Sequence, residues 1–308
     1  MARAKKGVPV HGWLVIDKPL GLSSSAVVGI VKRELNAQKA GHAGTLDPLA
    51  SGVLPIALGE ATKTVSFVMD GAKAYRFTVK WGEATNTDDG EGEITETSAH
   101  RPTGEEIEKA LGGFIGRINQ VPPAYSAIKV GGKRAYKLAR DGETVEMKPR
   151  AVEINDFRLV GVDDADHATF EVFCQKGTYI RALARDLAQK LGTHGHVTYL
   201  RRTKSGPFTE KDAISLDSLG GLRHSAALET GLIPIKTALD DIPALALTEL
   251  EAGTIHQGGF VDLDPVLEQN PGHKVQENEI VLAMANDIPV ALVRAAGNQL
   301  RPVRVFNI

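Results

Sequence analysis

Apolar residues follow two different periods along this chain, and the two periods alternate in no repeating order. The run "AYRFTVKWG" (74–82) alternates polar and apolar residues, as a half-buried strand does. "AVEINDFRLVGV", "ATFEVFCQ" and "HVTYLRRTKSGPF" are further strand-like runs. Between them, "TGEEIEKALGGF" opens with a Thr103–Glu106 capping box, and "TYIRALARDLAQKLG" is amphipathic at helical spacing and stops at Gly192. A doubly wound parallel sheet needs a regular strand–helix–strand repeat, which is missing here. The expectation is therefore an α+β fold, with a mixed, mainly antiparallel sheet and flanking helices.

The N-terminal "GWLVIDKPLGLSSSAVVGIVKREL" reads as a short strand ending at Asp17-Lys18-Pro19. A serine-rich turn then starts a helix with apolar positions Val27, Ile30, Val31 and Leu35. After about residue 240 the texture changes. "EIVLAMAND", "PVALVRAAG" and "LRPVRVFNI" are short strands between Asn, Gly and Pro turns, and "DPVLEQNPGHKVQEN" reads as a loop among them. Two units follow, 1–240 and a small β-rich 245–308, and deleting the second should spare any chemistry housed in the first. With 42% hydrophobic and 24% charged residues the chain is of globular type. Its single cysteine, Cys174, excludes a disulfide framework and a zinc ribbon, and reads as a buried inert thiol. No run is long and apolar enough to span a membrane, and "GWLVI" is too short for a signal-peptide core. A cytoplasmic protein is expected.

The formal charge of −2 hides an uneven distribution. Residues 119–150 interleave Pro, Gly and Tyr with Lys129, Lys133, Arg134, Lys137 and Arg140, a texture suited to an anionic backbone and stacked bases. A second basic group comprises Arg181, Arg185, Arg201, Arg202 and Lys204, near Tyr179 and Tyr199. Together with Lys18, Arg202 is expected to contact RNA. His194 and His196 read as exposed turn histidines, no metal-ligand set is visible, and no cofactor motif is recognised. "TNTDDGEGEI" reads as an acidic turn too polar for the core.

The stretch "GHAGTLDPLASG" places His42 and Asp47 among small residues. Asp47 before Pro48 has the form of a helix cap, with "PLASGVL" opening a short helix. The small residues would also let the carboxylate approach a substrate closely, and Arg181 is the best candidate to keep it ionised. An ionised aspartate attacking carbon is a known covalent strategy.

These segments carry a resemblance. "GHAGTLDPLASGVLPIALGEATK" resembles the catalytic motif of the TruB family of tRNA pseudouridine synthases, and "GWLVIDKPLGLSSSAVV" its N-terminal motif. "QVPPAYSAIKVGGKRAYKLAR", "KGTYIRALARDLAQKLG" and "HVTYLRRTKSGPF" resemble later segments of the family in order, so the match runs from about residue 12 to 210. "GKRAYKLAR" resembles the stand-alone bacterial type. The resemblance implies a sheet of the pseudouridine synthase type, an RNA-clamping insertion at 119–150, and a PUA-like RNA-binding domain at 245–308. It implies isomerisation of uridine 55 in the T stem-loop of tRNA after base flipping, with no cofactor, by a monomer that needs no protein partner. Asp47 would be the nucleophile, on sugar or base, and Arg181 its partner. Tyr75 would stack on the flipped base near its C5 proton; Tyr179 and Leu200 would belong to the uracil pocket, and His42 would hold flipped nucleotides. Ala43 and Ser51 stand where threonine is frequent in the family, and Asn86 interrupts a run usually richer in Asp. Two alternatives are an RNA-binding chaperone, which needs no Asp47, and a metal-dependent nucleotide hydrolase, which needs a third ligand beside His42 and Asp47.

Overall fold

A computed structural model describes residues 7–126, 128–143, 145–222 and 231–308, with backbone only for 221–222. The first strand, β1 (Gly12–Lys18), leads through the serine turn into helix α1 (Ser24–Glu34). Ser23 caps α1 by accepting from the Ala26 N–H, and Val27 and Val31 form its buried stripe. A short β2 (Ala40–His42) and a long β3 (Ala50–Leu58) follow, then β4 (Lys73–Trp81).

The main sheet has the spatial order Ala213–Ile214, β1, β3, Gly195–Ser205, β4, His167–Cys174, Arg150–Val162, Gly116–Gln120. Among the described residues only its β1 pairing with Ala213–Ile214 and its β3 pairing with Gly195–Ser205 are parallel. The mixed, mainly antiparallel sheet inferred from the alternating runs is the architecture found. Helices Gly104–Leu111 and Ile180–Lys190 pack on one face, over a core of Phe77, Trp81, Phe157, Phe170, Leu183 and Leu187. Cys174 lies in that core, its thiol pushed up to about 11 by burial.

One local expectation is overturned. Residues 50–56 open no helix after Pro48; they begin β3, which is buried along its whole length. It pairs with β1 along one edge and with β2 and Gly195–Ser205 along the other, with a core on each face, so "ASGVLPIAL" reads as a continuous apolar run without helical or alternating period. Gly52 also forbids helix there. Its φ is +97°, and a Cβ would sit 2.2 Å from the Arg202 carbonyl.

The C-terminal sheet has the order Ala244–Ala246, Ile280–Ala285, Ile288–Ala296, Gln299–Val305, Val261–Asp262. Two helices accompany it. All of Leu263–Gln269 but its first residue lies in the segment expected to be loop, and Glu249–His256 opens with a Thr248–Glu251 capping box. The boundary does not make this unit separable. Leu282, Leu292 and Phe306 share one buried cluster with Trp13, Val15, Val53, Ala57 and Phe208 of the main sheet. The Lys63 ammonium donates to the Val305 carbonyl at 2.6 Å, and the Asn307 N–H to Glu60 at 2.9 Å.

Deleting the chain after about residue 245 would therefore strip an apolar face from the main sheet. Phe306→Ala, at a fully buried position, should cost about 3–5 kcal/mol in urea unfolding. A cost below about 1 kcal/mol would mean that the two halves are energetically independent.

Candidate active site

Asp47 sits on the turn between β2 and β3, and five hydrogen bonds hold that turn. The Ser24 hydroxyl accepts from the Leu46 N–H and donates to the Leu46 carbonyl, at 2.8 and 2.9 Å. The Pro48 carbonyl accepts from the Gly21 N–H at 2.8 Å and from the Lys18 ammonium at 3.3 Å. The Ala50 N–H closes the turn onto the Asp47 carbonyl at 3.0 Å. The Asp-Pro pair thus makes a turn into a strand, leaving the carboxylate 40% exposed.

Arg181 meets that carboxylate. Its Nη2 lies 2.8 Å from Asp47 and its Nη1 3.2 Å from Asp89. It also donates to the carbonyls of Thr87 at 2.8 Å and Tyr125 at 2.9 Å. The arginine stands at the start of helix Ile180–Lys190, whose N-terminal residue Tyr179 is gripped by buried Gln120. The Gln120 side chain accepts from the Tyr179 N–H at 2.8 Å and donates to its carbonyl at 3.1 Å.

Two cavities meet at Asp47. One, of about 580 Å³, is lined by Tyr75, Leu200, Tyr179, Lys73 and Arg202. The other, of about 760 Å³, is lined by Ser23, His42, Tyr125, Tyr136 and Arg140. Both have the size of small-ligand sites. Tyr75 is half-buried: its ring packs against the main core and it also lines the first cavity. Burial pushes its hydroxyl above the ordinary value, and Arg202 pulls it back. Burial likewise raises the Tyr179 hydroxyl and lowers the His42 imidazole, the latter with help from Arg202.

The basic groups separate. Lys129, Lys133, Arg134, Lys137 and Arg140 are exposed on a small hairpin and the helix Ala135–Arg140 behind it, and Arg140 stacks over Tyr136 at 5.9 Å. The second group is no comparable surface patch, because acidic neighbours occupy three of its arginines. Arg185 pairs with Asp88 and Asp186, and Arg201 with Asp17 and Glu210, while Arg181 is held as described. Lys18 and Arg202, expected to touch RNA, are 0% and 1% exposed. The Lys18 ammonium donates to the carbonyls of Pro19, Leu22 and Pro48, and burial brings it down to about 8. His196 is also buried, hydrogen-bonded to the Glu83 carbonyl, so only part of that histidine turn faces solvent.

The acidic turn holds the residue that sequence reasoning missed. Asp89 is 3% exposed because Arg181 neutralises it. Arg181 and Arg185 stand one helical turn apart on one face, and each meets one of the adjacent carboxylates Asp89 and Asp88. That spacing was the available signal. Among the described residues no three His, Cys, Asp or Glu are grouped to hold a metal, and no helix is long and apolar enough to cross a membrane.

Comparison with known proteins now applies. A model of the TruB family pseudouridylate synthase N-terminal domain matches residues 32–180, and one of the tRNA pseudouridylate synthase B C-terminal domain matches 181–240. The chain belongs to the TruB family of pseudouridylate synthases. It is 54% identical to tRNA pseudouridine synthase B of Caulobacter vibrioides over the whole of both chains. It is 53% identical to that of Bradyrhizobium diazoefficiens, over 97% of this chain and 86% of the relative. In fold it is similar to a chain of a Cbf5-Nop10-Gar1 complex, with TM-score 0.75, 24% identity, and 100% and 91% of the two chains covered. A chain of an H/ACA RNP bound to a substrate RNA containing 2′-deoxyuridine gives 0.74, at 23% identity, over 100% and 92%. The likeness in fold spans the whole chain and so includes the PUA-like C-terminal sheet, although residues 241–308 lie outside both family models.

Asp89→Asn should lower the single-turnover rate of pseudouridine formation by about ten- to a hundredfold, because it loosens the arginine that aims Asp47. Asp88→Asn, which touches Arg185 instead, should cost less than about threefold. Equal losses in the two variants would contradict a special role for Asp89.

Proposed function

We propose that this chain converts uridine 55 in the T loop of tRNA to pseudouridine, with Asp47 as nucleophile and no external cofactor. The observation that carries the reading is the Asp47–Arg181 pair at the junction of two cavities, with Tyr75 and Leu200 lining one of them. The family and the name of its full-length relatives supply the class of reaction and the RNA.

A stacked, paired T-loop uridine must leave its helix to reach such a cavity, which costs a few kcal/mol. Stacking on Tyr75 returns about 1–3 kcal/mol. The second cavity, with His42 at its wall, holds displaced neighbouring nucleotides, and the hairpin and helix carrying Lys129, Lys133, Arg134 and Lys137 grip the backbone beside it. In the isomerisation the C1′–N1 bond breaks, the uracil turns, and a C1′–C5 bond forms. The C5 proton is lost and N1 gains one, so atoms and electrons balance without an oxidant. In this reading the guanidinium of Arg181 keeps Asp47 available as an ionised electron-pair donor, Tyr75 takes the C5 proton, and Tyr179 and Leu200 shape the uracil pocket. On the same reading the enzyme acts as a monomer without a protein partner, in the cytoplasm.

The direct test is incubation with unmodified tRNA transcript, followed by mapping of pseudouridine. Asp47→Asn should lower product formation by at least about a thousandfold while tRNA still binds. Wild-type-like turnover in a folded variant would remove Asp47 from the chemistry. Binding without any product by the wild-type enzyme would favour a chaperone, and chelator-sensitive release of free base or phosphate would favour a hydrolase.

Replacing Lys129, Lys133, Arg134 and Lys137 by alanine should weaken tRNA binding and flatten its salt dependence. Each lost phosphate contact lowers the log–log slope by about one. An unchanged slope would make the hairpin an ordinary solvated surface.

A further inference from the structure

Strand Gly195–Ser205 supplies a cation that neither the carboxylate network nor the RNA clamp uses. Arg202 is 1% exposed, yet among the described residues no carboxylate pairs with it. Its Nε donates to the Val53 carbonyl at 2.8 Å and its Nη2 to the Gly44 carbonyl at 3.1 Å. Arg202 stands directly opposite Tyr75 in the antiparallel pairing with β4, and both residues line the cavity at Asp47. Gly44 lies flat against the same group: at its φ of +93°, a Cβ would come 3.3 Å from Nη1.

A buried guanidinium without a carboxylate is a costly way to fill space, and an apolar side chain would be more stable there. What arginine adds is a planar fork that reaches several acceptors at once, which a lysine cannot do. Here the acceptors belong to the turn that carries Asp47 and to the central strand β3, with the tyrosine of β4 directly opposite.

We propose that Arg202 is a positioning residue for the isomerisation: its guanidinium ties the Tyr75 hydroxyl to the Gly44 carbonyl, three residues before Asp47. The inference rests on the reading in which Tyr75 acts on the flipped base. The bridge fixes the distance between phenol and carboxylate across the uracil cavity. It also occupies one side of the phenol oxygen, so that the other side faces the substrate.

A double-mutant cycle tests this on full-length enzyme with saturating tRNA transcript. Arg202→Lys should lower the single-turnover rate about ten- to a hundredfold and change tRNA affinity less than about threefold. In a Tyr75→Phe background, itself slow, the same change should cost less than about threefold, because the hydroxyl it positions is gone. Equal losses in both backgrounds would overturn the proposal while leaving Tyr75 in the chemistry. Full-rate catalysis by Tyr75→Phe would overturn both. Thermal melting supplies a readout independent of turnover. Tyr75→Phe should lower the midpoint by roughly 2–4 °C when Arg202 is present and by less when Lys replaces it. Equal shifts in the two backgrounds would also overturn the proposal.

Discussion

The guanidinium of Arg181 is the contact on which the site depends. It is almost wholly buried and lies between two carboxylates, one open to the cavities and one enclosed in the fold. Removing one partner of a buried pair typically costs about 3–5 kcal/mol, because the remaining charge is left unpaired. Asp89 and the carbonyls of Thr87 and Tyr125 therefore anchor the arginine independently of Asp47. Asp47 can face a substrate while its partner stays fixed to the protein.

Around that pair the structure uses buried cations as fasteners. Lys18 joins the end of β1 to the turn carrying Asp47, and Lys73 gives its ammonium to the carbonyls of Val68, Met69 and Gly71. Burial brings Lys73 down to about 8, as it does Lys18. Each accepts this cost where three carbonyls converge on it, in the turns beside β1 for Lys18 and at the end of helix Val65–Asp70 for Lys73. Basic residues around the two cavities thus divide by burial: those on the hairpin 129–134 and the helix Ala135–Arg140 face solvent, while Lys18, Lys73 and Arg202 on the sheet are buried and hold the scaffold.

Much of this was legible in the sequence where a period or a cap was local. The alternation in Ala74–Gly82, the capping box at Thr103 and the stop at Gly192 all mark real elements. Elements decided by long-range burial were not. β3 reads as a helix start because nothing local announces that both its faces are covered. The acidic turn reads as solvent-facing because its compensating arginines lie about 95 residues away in sequence. Arg201 and Arg202 looked alike, yet strand alternation sends one to an ion pair with Asp17 and the other into the core beside Tyr75. The helix Glu249–His256 did carry a local signal, Thr248 with Glu251, within a stretch otherwise dominated by strands.

The central claim is that Arg181 acts by geometry as well as by charge. Arg181→Lys keeps the positive charge but loses the fork that reaches Asp47, Asp89 and two carbonyls together. The measurement is single-turnover pseudouridine formation on a tRNA transcript, with binding and thermal melting recorded on the same preparation. The account predicts a folded protein that binds tRNA within about threefold of wild type and reacts at least about a hundredfold more slowly. A lysine variant that reacts at the wild-type rate would contradict it.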